Sequence, residues 1–124
     1  MKPPTLDDCQ MRAALPDTSS DLSLSALEDT VTVFRDSFGV PHVRANTVHD
    51  AFLGQGFVTS QDRLWQMEYD KRRAYGRWAE YVGPEGVNQD VMMRKFRLHA
   101  SVRRDYGALN GETRAMLDAF AAGV

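Results

Sequence analysis

The sequence predicts an α+β fold, an N-terminal β-hairpin followed by a mostly α-helical segment. Three observations carry that prediction. Val31 and Val33 alternate with Thr32, the two-residue period of a half-buried strand, and Pro41–Ala45 returns after a glycine turn. From Ala51 to Gly83 the spacing becomes helical: Leu53, Phe57, Ser60, Leu64, Met67, Lys71, Ala74 and Trp78 recur at steps of four and three. Further on, Asp90–Tyr106 and the stretch after Asn110 read as two more helices.

Residues 1–20 hold three prolines, scattered acids and a Thr18-Ser19-Ser20 cluster, the composition of a flexible leader without a site. Its Cys9 has no neighbour that would lower the thiol pKa, so it reads as incidental. Leu22 and Leu24, then Val31, Val33 and Phe34, suggest two short strands on either side of Ser25–Thr30. Arg35-Asp36-Ser37-Phe38-Gly39 is a turn in which Gly39 is free to take positive φ. Pro41 sits where the start of a strand tolerates it. Asn46 or Thr47 is expected to cap the long helix.

Within that helix Gly54 and Gly56 each cost roughly 1 kcal/mol against alanine. Either the helix kinks there, or another backbone passes too close for a side chain. A second face carries Asp62, Gln66, Asp70, Arg73 and Arg77, and Glu68 and Arg72 stand one turn apart in the favourable order. Such a face is either solvated or docked on polar groups of another segment. Pro84–Asn88 reads as a loop, Asp90 as a helix start able to pair with Arg94, Gly107 as a stop, and Asn110 as a cap. The last helix, with Met116, Leu117, Phe120 and Ala121, breaks off at Gly123-Val124, the look of a severed pattern.

The 124 residues, 43% hydrophobic, suffice for one domain with a modest core. A net charge of −2 gives no general pull toward nucleic acid. Basic clusters at Lys71-Arg72-Arg73, Arg94-Lys95 and Arg103-Arg104 are interleaved with acids that blunt any extended positive field. One cysteine excludes an internal disulfide, and no apolar run approaches the roughly 20 residues of a membrane span. The reading is therefore a soluble chain with neither nucleic acid nor membrane as partner. No export signal follows Met1, which fits the cytoplasm as written and leaves the compartment open.

Chemistry is sparse. His42, His49 and His99 lack metal-ligand spacing, and no second cysteine completes a CxxC pair. His42 reads as a packing residue and His49 as a polar residue of the first helical turn. There is no GxSxG elbow, and Gly54-x-Gly56 lies in a helical pattern without the third glycine of a dinucleotide loop.

Several segments in unbroken order nevertheless carry a resemblance. Val33-x-Arg35-Asp36-x-x-Gly39-Val40-Pro41-His42-Val43-x-Ala45 is followed by Gly54-x-Gly56-Phe57-Val58-x-x-Gln61-Asp62-Arg63-Leu64-Trp65-Gln66-Met67-Glu68. Then come Arg72-Arg73-x-x-Gly76-Arg77-x-Ala79-Glu80, Asp90-x-x-x-Arg94 and the terminal Ala121-Ala122-Gly123-Val124. Together, residues 21–124 resemble the N-terminal portion of the α subunit of the penicillin acylase family, incomplete at Val124.

The resemblance implies an αββα N-terminal-nucleophile hydrolase that cleaves linear amides of the acyl-amine or N-acyl homoserine lactone type. The family's nucleophile is the new N-terminal serine of a β subunit released by self-cleavage. Its own α-amine, with a pKa of about 7.7–8.0, serves as base. Full-length members often bind calcium. The nucleophile, the oxyanion donors, the acyl pocket and the calcium ligands all lie outside this chain, so the resemblance assigns no catalytic, substrate-binding or metal residue here. It implies the β subunit, or the downstream remainder of the same precursor, as partner. On that reading Asp62, Arg63, Gln66, Glu68 and Arg72 seat the segment against that partner. The competing reading is a non-catalytic helical interaction module that retains only this region.

Overall fold

The structure, a computed structural model, describes residues 7–124. The part of the leader reading that covers residues 1–6 lies outside these residues. Asp8–Ala13 forms a short helix, α1, that the composition did not announce. Asp7 accepts from the Gln10 N–H while the Gln10 side chain accepts from the Asp7 N–H, a capping box strong enough to order one exposed turn.

Strands β1 (Thr32–Arg35) and β2 (Pro41–Arg44) form an antiparallel hairpin with Val33 opposite Val43 and Phe34 opposite His42. Leu22 and Leu24 form no strand. Both are exposed in a segment with no partner backbone, so alternation alone does not make one. Gly39 takes φ +79 in the turn, and Asp36 accepts from the N–H groups of Phe38 and Val40.

Helix α2 runs Val48–Tyr75. Thr47 is the cap, its hydroxyl accepting from the Asp50 N–H, while Asn46 donates instead to Asp29. The helix ends earlier than Gly83 because Gly76 turns left-handed at φ 64, and Arg77 N–H closes back on the Arg72 carbonyl. Its one break is at Arg63 (φ −135, ψ 22), not at the glycines. Thr59 and Ser60 just before it bond back to the carbonyls of Gln55 and Phe57, a pattern that bends helices. Gly54 and Gly56 are positions of close approach. A Cβ on Gly54 would come within 2.8 Å of the Val43 side chain, and one on Gly56 would collide with the Phe120 carbonyl.

Past Gly76, Trp78 begins a short helix, α3 (Ala79–Val82), and a 3-10 turn at Gly83–Gly86 replaces the expected loop. The expected single helix Asp90–Tyr106 is two: α4 (Val87–Phe96) and α5 (Leu98–Ala108), broken where Arg97 adopts φ 54. Gly107 lies inside α5, and extended Leu109 ends it. Helix α6 (Gly111–Gly123) is capped by Asn110 as expected and lies along the first half of α2.

Among the described residues the buried apolar core is Leu53, Val58 and Ala119, where α2 meets α6. Large apolar side chains outside that core stay exposed, among them Phe38, Leu64, Trp65, Phe96 and Val102. No helix of the described residues is long and apolar enough to cross a membrane.

Candidate functional site

The best-ordered polar geometry lies where the hairpin and the preceding segment meet α2. Asp50, fully buried, accepts from the N–H groups of Glu28 (3.0 Å) and Asp29 (2.9 Å), with the His49 ring nitrogen 3.1 Å away. The Glu28 N–H, together with its other donors, holds the Asp50 carboxyl below the ordinary range against the opposing cost of burial. Glu28, His49 and Asp50 bring donor atoms within 4.8 Å of one another. Both Asp50 oxygens already serve backbone N–H groups, so the cluster ties the 28–29 loop to α2.

A second tie sits one strand along. The Arg35 guanidinium meets both oxygens of Asp62 at 3.0 and 2.8 Å, a bidentate fork from β1 to α2. His42 stacks on Phe34 (centroids 4.8 Å apart) and stands 3.2 Å from Asp36, which it holds below its usual range. His42 is thus satisfied by Phe34 and Asp36 but exposed at the surface, while His49 occupies the first turn of α2 as expected.

At the far end of α2 the charges knit around one turn. Glu68 pairs with Lys71 and Arg72, and Arg72 reaches on to Glu80, which Arg77 also holds. Lys71 beside Glu68 and Arg77 beside Glu80 hold both carboxyls low. Asp90 does not pair with Arg94. It is buried and accepts from the N–H groups of Trp78 and Ala79, both at 2.8 Å, capping α3 across the bend, while Arg94 donates to the Gly76 carbonyl. Replacing Asp90 with alanine leaves two amide donors without partners. It should cost about 2 kcal/mol, read as a lower urea midpoint.

Of the five residues expected to face a partner, Asp62, Glu68 and Arg72 are thus paired within the chain, and Arg63 bonds to Gln66 at 3.1 Å. Asp50, the residue that does most to fix the junction, carries no sequence signature beyond its place three residues after a capping threonine.

The penicillin amidase family model matches residues 30–124. The chain belongs to the penicillin amidase family. It is 44% identical over 114 residues to the penicillin acylase 2 proenzyme of Pseudomonas sp., covering 92% of this chain and 15% of that protein. The acyl-homoserine lactone acylase QuiP of Pseudomonas aeruginosa is 33% identical over 119 residues, covering 96% of this chain and 14% of that protein. A thermostable penicillin G acylase from Alcaligenes faecalis superposes with a TM-score of 0.67 at 36% identity, over 76% of this chain and 50% of that one. The chain thus spans about one seventh of the length of these curated relatives, and its hairpin-then-helices order is that of an α+β penicillin acylase fold.

Proposed function

We propose that this chain is the α-side segment of a penicillin acylase-like amidohydrolase, inactive alone, whose nucleophile is carried by polypeptide outside these residues. The observation that carries the reading is the pairing of a family match over nearly the whole chain with a share of only 15% of the matched proenzyme. Exposed apolar side chains on the hairpin and helices support it: Phe38, Leu64, Trp65, Phe96 and Val102 are each more than half exposed.

On this reading the Asp50 and Arg35–Asp62 ties hold the hairpin at a fixed angle to α2, presenting both as one rigid unit. The substrate is a linear amide, with penicillin-type and N-acyl homoserine lactone substrates both represented among the relatives' names. Catalysis then uses an N-terminal hydroxyl and its own amine, the latter a workable base near neutral pH. Calcium is a poor match for the Glu28–His49–Asp50 cluster: calcium takes six to eight oxygens, whereas the cluster offers two carboxylates and an imidazole, with both Asp50 oxygens already accepting backbone N–H bonds.

Purified residues 1–124 should not turn over phenylacetyl amides or N-acyl homoserine lactones, and should do so once co-expressed with the downstream remainder. Amide turnover by the 124-residue chain alone overturns the proposal. A stop codon after Val124 with no partner frame favours the non-catalytic module.

A further inference from the structure

We propose that Glu28, His49 and Asp50 bind one divalent transition-metal ion of the zinc class, which staples the 28–29 loop to the start of α2. The donors come from two segments: His49 and Asp50 stand in the first turn of α2, and Glu28 lies on the loop tied to it. One ligand atom from each, two carboxylate oxygens and an imidazole nitrogen, lies within 4.8 Å of the other two. Four-coordinate zinc, with bonds of about 2.0–2.1 Å, sets its ligand atoms about 3.3 Å apart. His49 Nδ1 and Asp50 Oδ1, at 3.1 Å, already stand close to one edge of that tetrahedron. Glu28 is exposed, so its carboxylate can approach by a change of rotamer.

Charge points the same way. Asp50 is fully buried, and buried charges are either paired or bound to metal. Its two backbone N–H bonds satisfy the oxygens but do not cancel the charge. Among the described residues no lysine or arginine forms a salt bridge with Glu28, Asp29 or Asp50. The one ion pair of Asp50 is with His49, which is charged only when protonated. The junction thus gathers three carboxylates that a divalent cation would largely offset.

The hydrogen bonds of Asp50 leave room for such an ion. Each carboxylate oxygen carries two lone pairs, and the amides of Glu28 and Asp29 take one from each oxygen. The second lone pair of Oδ1 faces the His49 ring. With metal bound, neutral His49 carries its proton on Nε2, and Nδ1 and Oδ1 both turn to the ion. The two amides then act as outer-shell donors that fix the orientation of the ligand. Zinc needs three protein ligands and a water, where calcium needs six to eight oxygens, and it accepts imidazole readily.

The test is zinc titration of the full chain, stripped of metal and carrying Cys9→Ser so that the exposed thiol offers no rival ligand. Isothermal titration gives stoichiometry and affinity, and proton–nitrogen spectra of the three imidazoles, His42, His49 and His99, locate the ion. One equivalent should bind, moving the His49 resonances and leaving those of His99 in place. His49→Gln and Glu28→Gln should each weaken binding at least about tenfold, while His42→Gln, which removes the other ring beside a carboxylate, should change it less than about twofold. Asp50 is left unchanged, because its loss would disrupt the junction itself. Failure of zinc to bind overturns the site. So does binding that survives His49→Gln, or that is lost with His42→Gln instead, which means an adventitious ion only. Displacement of zinc by an equal concentration of calcium overturns the choice of metal class.

Discussion

Gly56→Ala should destabilise the chain by about 3 kcal/mol, at the upper end of what overpacking costs, and lower its thermal midpoint by roughly 10 °C. The added methyl would run into the Phe120 carbonyl, which belongs to the backbone of α6 and cannot rotate aside. Gly123→Ala meets the same obstacle from the other side, its Cβ colliding with the Leu53 carbonyl. The two glycines are the paired notches through which α2 and α6 cross, next to the buried Leu53 and Ala119. Because both changes push the same two helices apart, the double variant should cost clearly less than the sum of the singles. Gly107→Ala is the control. It lies inside α5 with nothing within 4 Å of a new Cβ, so helix propensity alone should stabilise by about 0.5–1 kcal/mol. Urea unfolding followed by far-ultraviolet circular dichroism checks all four variants. A Gly56→Ala chain as stable as the parent would show that the helices do not cross as closely as described.

These glycines also mark what was legible in the sequence. The need for a reason was visible from the cost of Gly54 and Gly56 in a helix, but the choice between kink and close approach depends for Gly56 on α6, more than 60 residues away, and for Gly54 on the Val43 side chain of the hairpin. Local signals held at the turn at Gly39, the caps at Thr47 and Asn110, and the Glu68–Arg72 pair, but not at Asp90, which caps α3 across the bend instead of pairing with Arg94, nor at Gly107, which α5 runs through. Arg97 was invisible because the apolar spacing of α4 and α5 runs through the break, and arginine announces no left-handed residue. The polar face of α2 was recognised as such, yet its pairing was not. Asp62 answers to Arg35 on a strand 27 residues away, and no spacing rule joins a strand to a helix. Family membership was legible throughout, since it rests on the order of motifs and not on contacts.

Asp50→Asn should be the most damaging change at the hairpin–helix junction, lowering the thermal midpoint on the order of 10 °C. The carboxylate is fully buried and offers acceptors to two backbone N–H groups from a different segment. An amide of the same shape keeps one acceptor and turns an NH₂ toward a second donor. The loss should therefore resemble that of a buried donor left unpaired, and Asp50→Ala should be no milder. The pH dependence separates this from a steric effect. The folded carboxyl is held below its ordinary value, so its stabilisation is fully present above the unfolded carboxylate pKa of about 3.9 and is lost as pH falls through the folded value. The gap between parent and Asp50→Asn should accordingly be constant from pH 5 to 8 and close in acid. A gap that persists unchanged at pH values where the parent carboxyl is protonated would mean that packing, and not the charge on Asp50, holds the 28–29 loop to the helix.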